Sequence, residues 1–320
     1  MPRSIIVTST INASLDRSCR AAHVTPEKKL RCHSVRRQPG GGGINVARVV
    51  HELGGTARAV WAGGGDTAAR LAQLLEGAGL SHRRVALDAT TRENIHLLDE
   101  SSGSQYRLVM PGADVSAEEA GRMLDGTLAE VKKALDENET CYVVASGSLP
   151  PGVPDDYYAR LSQGLPAGSR FVVDTKGEPL RQALAEGAYL IKPNLAELEA
   201  LAGRELGDEK AIEAAARELI GEARAVVVVV SLGRGGALLV TERAAERMGA
   251  PSVRIQSKVG AGDSMVGGIV LGLARGNDLS SAVRFGIAAG AAAVMTPGTE
   301  LCRRSDVERI HADMTSTGGN

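Results

Sequence analysis

The sequence predicts an α/β protein whose central sheet is mostly parallel and carries a small β-sheet lid. Three observations lead there. Short apolar runs such as Tyr142–Ala145 and Val226–Ser231 are continuous rather than alternating, as in strands buried on both faces. Helix-periodic stretches separate those runs, the pattern of a sheet covered by helices on each side. Two further segments are half-polar and turn-linked, so they belong to a second sheet with one open face.

Taken in order, Ile5-Ile6-Val7 is the first buried strand. Polar and apolar residues partly alternate from Arg31 to Arg37, until Pro39 and four glycines interrupt them. Arg92–Leu98 and Gln105–Met110 flank a Ser-Ser-Gly-Ser turn and form a hairpin. The lid therefore covers approximately residues 18–38 and 91–111. Further strands are expected at Phe171–Asp174, Tyr189–Ile191 and Ala237–Val240. Helices are expected at Ile44–Leu53, Thr67–Ala78, Ala117–Leu135, Pro154–Leu161, Pro179–Ala185, Leu195–Leu201, Glu209–Gly221, Asp263–Ala274 and Ser280–Val294. No Pro/Ser-rich linker divides the chain, so residues 1–320 read as one domain. The final Thr-Ser-Thr-Gly-Gly-Asn reads as a loose tail.

Bulk composition excludes several classes. The chain is 43% hydrophobic but only 2% aromatic, so its core is aliphatic and stacked rings cannot build its binding site. A net charge of −1 gives no electrostatic footprint for nucleic acid or a membrane surface. The four cysteines are scattered without a CxxC pair, which predicts neither a zinc site nor a disulfide framework. Met1–Thr10 does not read as a signal peptide, and the longest apolar run, Ala225–Val230, is too short to span a bilayer. The expected location is the cytoplasm.

The most informative motif is Val259-Gly260-Ala261-Gly262-Asp263-Ser264, where an acid meets the start of an apolar helix. The first N–H groups of a helix lack internal partners and carry partial positive charge, which suits phosphate oxygens. An acid beside such an anion hole is the minimum equipment for phosphoryl transfer to a hydroxyl. The alternative reading of Asp263 is an ordinary helix cap. Gly40-Gly41-Gly42-Gly43-Ile44-Asn45 is a second glycine turn entering a helix, either a flexible loop or a close backbone approach to a ligand. Its spacing departs from GxGxxG, and no lysine of the chain follows a glycine, which excludes a P-loop.

Lys192-Pro193-Asn194-Leu195-Ala196-Glu197 ends a strand and opens a helix, with Asn194 and Glu197 spaced as a capping box. Strand ends of this kind also bind ligands in open α/β sheets, and both side chains can hold water on magnesium. Ser231-Leu232-Gly233-Arg234-Gly235-Gly236 is a tight turn between strands or a platform for a nucleotide. Asp16, Lys29, Arg31, Arg92 and Arg107 fall in or beside the lid; several basic groups there suit an anionic substrate.

On these residues the chain resembles the ribokinase-like (PfkB) family of carbohydrate kinases along nearly its whole length. The segments that carry the resemblance are Gly40–Leu53, Gln105–Ala113, Ser146–Gly152, Lys192–Glu197, Ser231–Gly236 and Val259–Gly267. The resemblance implies the ribokinase-like three-layer fold and ATP-dependent phosphorylation of a sugar phosphate. Fructose 6-phosphate is the expected acceptor; tagatose 6-phosphate and fructose 1-phosphate are the alternatives, and a non-catalytic sugar-phosphate sensor is the alternative from another class. Asp263 would be the general base, with Gly260, Ala261 and Gly262 as the anion hole. Asp16, Gly41, Gly42, Gly43 and Asn45 would bind the sugar. Lys29, Arg31, Arg92 and Ser146 would hold its phosphate, the first two reaching in from a partner subunit. Lys192, Asn194 and Ser231 to Gly236 would meet ATP, and Asn194 and Glu197 would orient Mg2+ through water. A potassium ion would take backbone groups of Ser257, Val259, Ala293, Thr296 and Gly298. Lys258, Thr296-Pro297 and Glu300 depart from the pattern of the nearest members. A homodimer through the lid is implied as well.

Overall fold

The computed structural model describes residues 4–317. The strands are β1 (Ser4–Thr10), β2 (Ser14–Ala21), β3 (His33–Gly40), β4 (Ala57–Gly63), β5 (Ser81–Ala86), β6 (Arg92–Asp99), β7 (Gln105–Leu108), β8 (Thr140–Ser146), β9 (Ser169–Asp174), β10 (Ala188–Ile191), β11 (Ala225–Ser231), β12 (Ala237–Val240) and β13 (Ala245–Met248). The helices are α1 (Gly42–Glu52), α2 (Gly65–Gly77), α3 (Ala117–Glu137), α4 (Tyr157–Gly164), α5 (Glu178–Ala185), α6 (Leu195–Ala202), α7 (Glu209–Gly221), α8 (Ala261–Ala274), α9 (Leu279–Val294) and α10 (Arg304–Thr317).

The main sheet has nine strands in the order β13-β12-β11-β10-β9-β8-β1-β4-β5, parallel except for β12 and β13 at one edge. Alternate residues of each strand enter different cores. Ile6, Ala59, Tyr142 and Val144 pack with α1, α2, α8, α9 and α10, whereas Val7, Val60, Val143 and Ala145 pack with α3 to α7. Both faces being buried explains why these strands read as continuous apolar runs. The result is the three-layer α/β architecture expected from the sequence, with a separate small sheet. That second sheet has the order β3-β2-β6-β7 and is mixed, since β2 and β6 run parallel.

Several elements escape the sequence reading. In β4, Ala57-Arg58-Ala59-Val60-Trp61-Ala62-Gly63, alanine and glycine dilute the apolar signal although nearly every residue is buried. The polar β5 and short β13 are the two edges, where one side faces water. The helix α10 contacts the core through few apolar residues, Val307 and Ile310 among them. It includes Thr315–Thr317 of the expected tail; 318–320 and 1–3 lie outside the described residues. Pro39 does not interrupt β3. It sits within an edge strand, where a missing N–H is tolerated.

The placement of α8 depends on a seam of small residues against α9. A Cβ built on Gly268 would lie 2.8 Å from the Gly286 Cα, and one on Gly272 would lie 2.9 Å from the Ala282 Cα. Backbone-to-backbone packing at this distance fixes where the first turn of α8 points. Gly268→Val is therefore expected to lower unfolding free energy by about 1–3 kcal/mol or more through overpacking. Urea unfolding is the measurement, and an unchanged midpoint would contradict this role for the seam.

Candidate active site

Ligands in open α/β sheets bind beyond the carboxyl ends of the strands, near the point where strand order reverses. Here β1 lies between β4 and β8, so the chain builds outward from it in both directions. Thr10, Ser146, Asp174 and Ser231 end their strands on that side, and Lys192 follows β10 directly. The lid strands leave β1 and return through the glycine turn into α1, and so stand over the same edge.

The first turn of α8 is the centre of the site. Gly260 occupies the N-cap in the left-handed region at φ 73°, and no side chain caps the helix. A Cβ at Gly260 would also fall 2.5 Å from Leu301, so only glycine fits. The first internal bond runs from the Ser264 N–H to the Gly260 carbonyl, which leaves the preceding amides for a ligand. Asp263 is not the cap. Its Oδ2 accepts from Asn45 Nδ2 at 2.8 Å, across to the first turn of α1. Asp263 keeps a partial opening to solvent, yet burial among its neighbours raises its pKa to about 6. The Asp174 charge and, more weakly, Asp16 push in the same direction, while the Asn45 hydrogen bond and Lys192 oppose them.

On the side expected to face the sugar, Asp16 is buried, and its Oδ1 accepts from Ser14 Oγ at 2.8 Å and Asn94 Nδ2 at 2.9 Å. Ser146 is buried beside Gly42: a Cβ on Gly42 would lie 2.2 Å from its Oγ. Gly42, Ser146, Asp174, Glu197 and Asp263 together line a cavity of about 270 Å³. Gly41, at φ 110°, packs against Thr10 and Ala13, and Gly43 is buried against Ser9 and Thr10. Gly43 is thus a closely packed position at the base of the turn. Arg92 donates to the carbonyls of Asn12 and Met110, bracing the lid base and committing donors expected for phosphate. Lys29 and Arg31 are exposed on the loop between β2 and β3, so one chain does not bring them to Asp263 through any described contact.

A larger cavity of about 570 Å³ opens on the other side of the α8 start. Lys192, Ser231, Gly233, Arg234 and Gly236 line it, joined by Lys258, already singled out as a departure from the family pattern, and by Val253 and Ile287, which carried no signal in the sequence. Leu232 packs on the core instead, and Gly235 approaches Arg247. The KPN and SLG motifs are neighbours because Ser231 N–H bonds the Pro193 carbonyl at 2.8 Å. Lys192 is buried, 3.6 Å from Asp174, and its Nζ would lie 3.6 Å from a Cβ on Gly262.

Asn194 and Glu197 do form a reciprocal capping box, each side chain accepting from the other's N–H at 2.9 Å. Among the described residues, no cluster of three or more His, Cys, Asp or Glu can hold a metal directly. A magnesium ion that keeps its waters and binds phosphate oxygens suits this sparse donor set. The potassium candidates lie together: Ser257 Oγ donates to the Gly298 carbonyl at 2.7 Å, and Thr296 Oγ1 stands 2.8 Å from the carbonyls of both Ala293 and Glu300, with one proton to give to either. Val259 N–H donates to Ser257 Oγ at 3.2 Å. Carbonyl and hydroxyl oxygens are suitable ligands for a hard monovalent cation.

The sequence reading missed Asp174, Arg48, Asn94 and His96 as site residues. Asp174 had one usable signal, its position as the last residue of a buried parallel strand. His96 is half-buried in the lid, with both ring nitrogens shielded and without a hydrogen bond among the described residues, 3.9 Å from Asp16. Burial lowers its pKa, and Asp16 opposes that shift. The four cysteines are free. No helix among the described residues is long and apolar enough to cross a membrane.

Comparison with known proteins supplies the family. Residues 3–306 match the pfkB family carbohydrate kinases. The ATP-dependent 6-phosphofructokinase isozyme 2 of Mycobacterium tuberculosis is 44% identical over 317 residues, which are 98% of this chain and 91% of the relative. The crystal structure of Escherichia coli phosphofructokinase-2 in complex with potassium superposes with a TM-score of 0.91 at 42% identity, covering 98% of this chain and 100% of that one. The same E. coli protein in complex with fructose-6-phosphate gives a TM-score of 0.89 at 41% identity, with 98% and 100% covered. With a match along nearly all its length, both in sequence and in fold, the chain belongs to the pfkB family of carbohydrate kinases.

Proposed function

We propose that this kinase transfers the γ-phosphoryl group of ATP to the 1-hydroxyl of fructose 6-phosphate. The observation that carries the reading is the Asp263 carboxylate standing in an uncapped helix start, between a small polar cavity and a larger one. Asp263 takes the proton of the accepting hydroxyl. The amides of Gly260, Ala261, Gly262 and Asp263 receive the charge spread over the transferring group. Phosphoryl transfer asks for positioning and electrostatics above all, and both are built into the backbone here.

Asp16, Gly42, Asn45 and Ser146 contact the sugar side, and Lys192, Arg234 and the turn around Gly233 contact the nucleotide. Asn194 and Glu197 would hold Mg2+ through water, and the ion would supply charge neutralisation for the ATP phosphates. A potassium ion beside Ser257, Thr296 and Gly298 would stiffen the loop next to Gly260. Lys29 and Arg31 serve the site of a second copy in a homodimer joined through the lid. The exposed Val35, Tyr106, Leu108, Val109 and Met110 of the lid and its flank support that assembly. The relatives' 6-phosphofructokinase activity and the fructose-6-phosphate complex support the choice of acceptor. A cytoplasmic location fits the substrates.

A substrate panel tests the acceptor. kcat/KM should be highest for fructose 6-phosphate, and equal or better turnover of tagatose 6-phosphate or fructose 1-phosphate would overturn the assignment. Asp263→Asn should lower kcat by at least about 10²-fold. Turnover near wild type in that variant would remove Asp263 from its role, and absence of turnover by the native chain with every sugar would favour the sensor reading.

The pH profile gives an independent check. Because Asp263 titrates at about 6, the rate should fall as pH drops through that value and the base takes up a proton. The phosphate of the substrate titrates in the same range. Asp174→Asn separates the two. Removing that negative charge stabilises the Asp263 carboxylate, so the acid limb should move to lower pH. A limb that stays in place would assign it to another group.

A further inference from the structure

We propose that Arg48 is a positioning residue for phosphoryl transfer: it fixes the Asn45 carboxamide against Asp263 and ties both to the lid. This rests on Asp263 acting as the base. Arg48 lies one turn into α1, on the face directed at the site. Its Nη1 donates to the Pro39 carbonyl at 2.7 Å and to Asn45 Oδ1 at 3.3 Å. Asn45 then donates through Nδ2 to Asp263 Oδ2 at 2.8 Å. One line of bonds therefore runs from the lid strand β3 through α1 to the first turn of α8.

The chemistry of the three groups makes the line directional. A guanidinium only donates and a carboxylate only accepts, so an amide between them has one orientation that satisfies both. Arg48 holds the amide oxygen, which turns the amide NH2 toward Asp263. Without it, the carboxamide is anchored at one end only, and the base it steadies gains freedom.

A second observation separates this arrangement from ordinary packing. Among the described residues Arg48 hydrogen-bonds to no carboxylate, and burial lowers its pKa, while the charges of Asp16 and Asp263 oppose that shift. A cation placed among protein atoms without an ion-pair partner is expensive, and an apolar side chain is often as stable there. The position holds a charge that serves its carboxylate neighbours rather than the fold. The groups facing Asp263 are Asn45 and Arg48 from α1, Asp16 from β2, Asp174 at the end of β9, and Lys192 after β10. Of the two cations among them, Lys192 is engaged by Asp174.

The test compares Arg48→Met and Arg48→Lys with wild type and Asp263→Asn, following kcat, ATP KM, the pH profile and Tm. Arg48→Met should keep its Tm but lose about ten- to a hundredfold in kcat, as misplaced catalytic groups do. Its ATP KM should change by less than about twofold. Its acid limb should move up by about half a pH unit or more, because a cation that favoured the carboxylate is gone. Arg48→Lys keeps the charge without the fork, so the limb should stay and only part of kcat return. Wild-type kcat in Arg48→Met, or a kcat loss with an unmoved limb, would overturn the proposal. If Arg48→Met does not fold, full kcat in Arg48→Lys does the same. Retained turnover in Asp263→Asn would instead overturn the base assignment and this inference with it.

Discussion

A helix that starts without a cap must find partners for its first donors elsewhere, and at α8 the described residues offer none. Gly260 has no side chain to fold back, and Asp263, the one acid of the first turn, faces α1 instead. The unpaired amides and the axial dipole together form a fixed positive site, worth most where water is thin. Much of the surrounding structure follows from protecting it. The small-residue seam with α9 sets its direction, Leu301 closes behind Gly260, and Lys192 extends the positive region toward the larger cavity.

The same site concentrates negative charge. Asp263, Asp174 and Asp16 are close enough to influence one another, and Asp263 is held up near pH 6 by burial first and by those charges second. A carboxylate tuned in that way is ionised at neutral pH yet more basic than a free one. Lys192 opposes the rise at Asp263, and Arg48 feels the charges of Asp16 and Asp263. The lid adds a mechanical constraint: Arg36 pairs with Glu300, Thr299 Oγ1 donates to Gln38 at 2.5 Å, and Gln105 reaches the Gln256 carbonyl at 2.5 Å. Glu300 is thus part of a contact between the lid and the loop that includes Thr296 and Gly298.

What could be read from residue order alone divides along physical lines. Continuous apolar strands such as β8 and β11 were legible because both faces are buried, and the α8 motif was legible because glycine and aspartate mark an unusual helix start. The strand β4 was not, since its alanines and glycines gain burial from neighbours the sequence does not display. Asn45 was read as a sugar ligand, but its bond to Asp263 requires α1 and α8 to meet, a contact between residues 218 positions apart. Arg48 and His96 were invisible for the same reason: a lone basic residue on a helix or strand acquires meaning only from what the fold sets against it. Arg92 shows the reverse, a charge expected at phosphate that the fold spends partly on backbone carbonyls.

The most direct measurement is a crystal structure of the chain with fructose 6-phosphate and a non-hydrolysable ATP analogue. The account predicts terminal phosphate oxygens on the amides of the α8 first turn and an Asp263 oxygen within hydrogen-bond reach of the sugar 1-hydroxyl. A terminal phosphate bound away from those amides, or a 1-hydroxyl out of reach of Asp263, would contradict it.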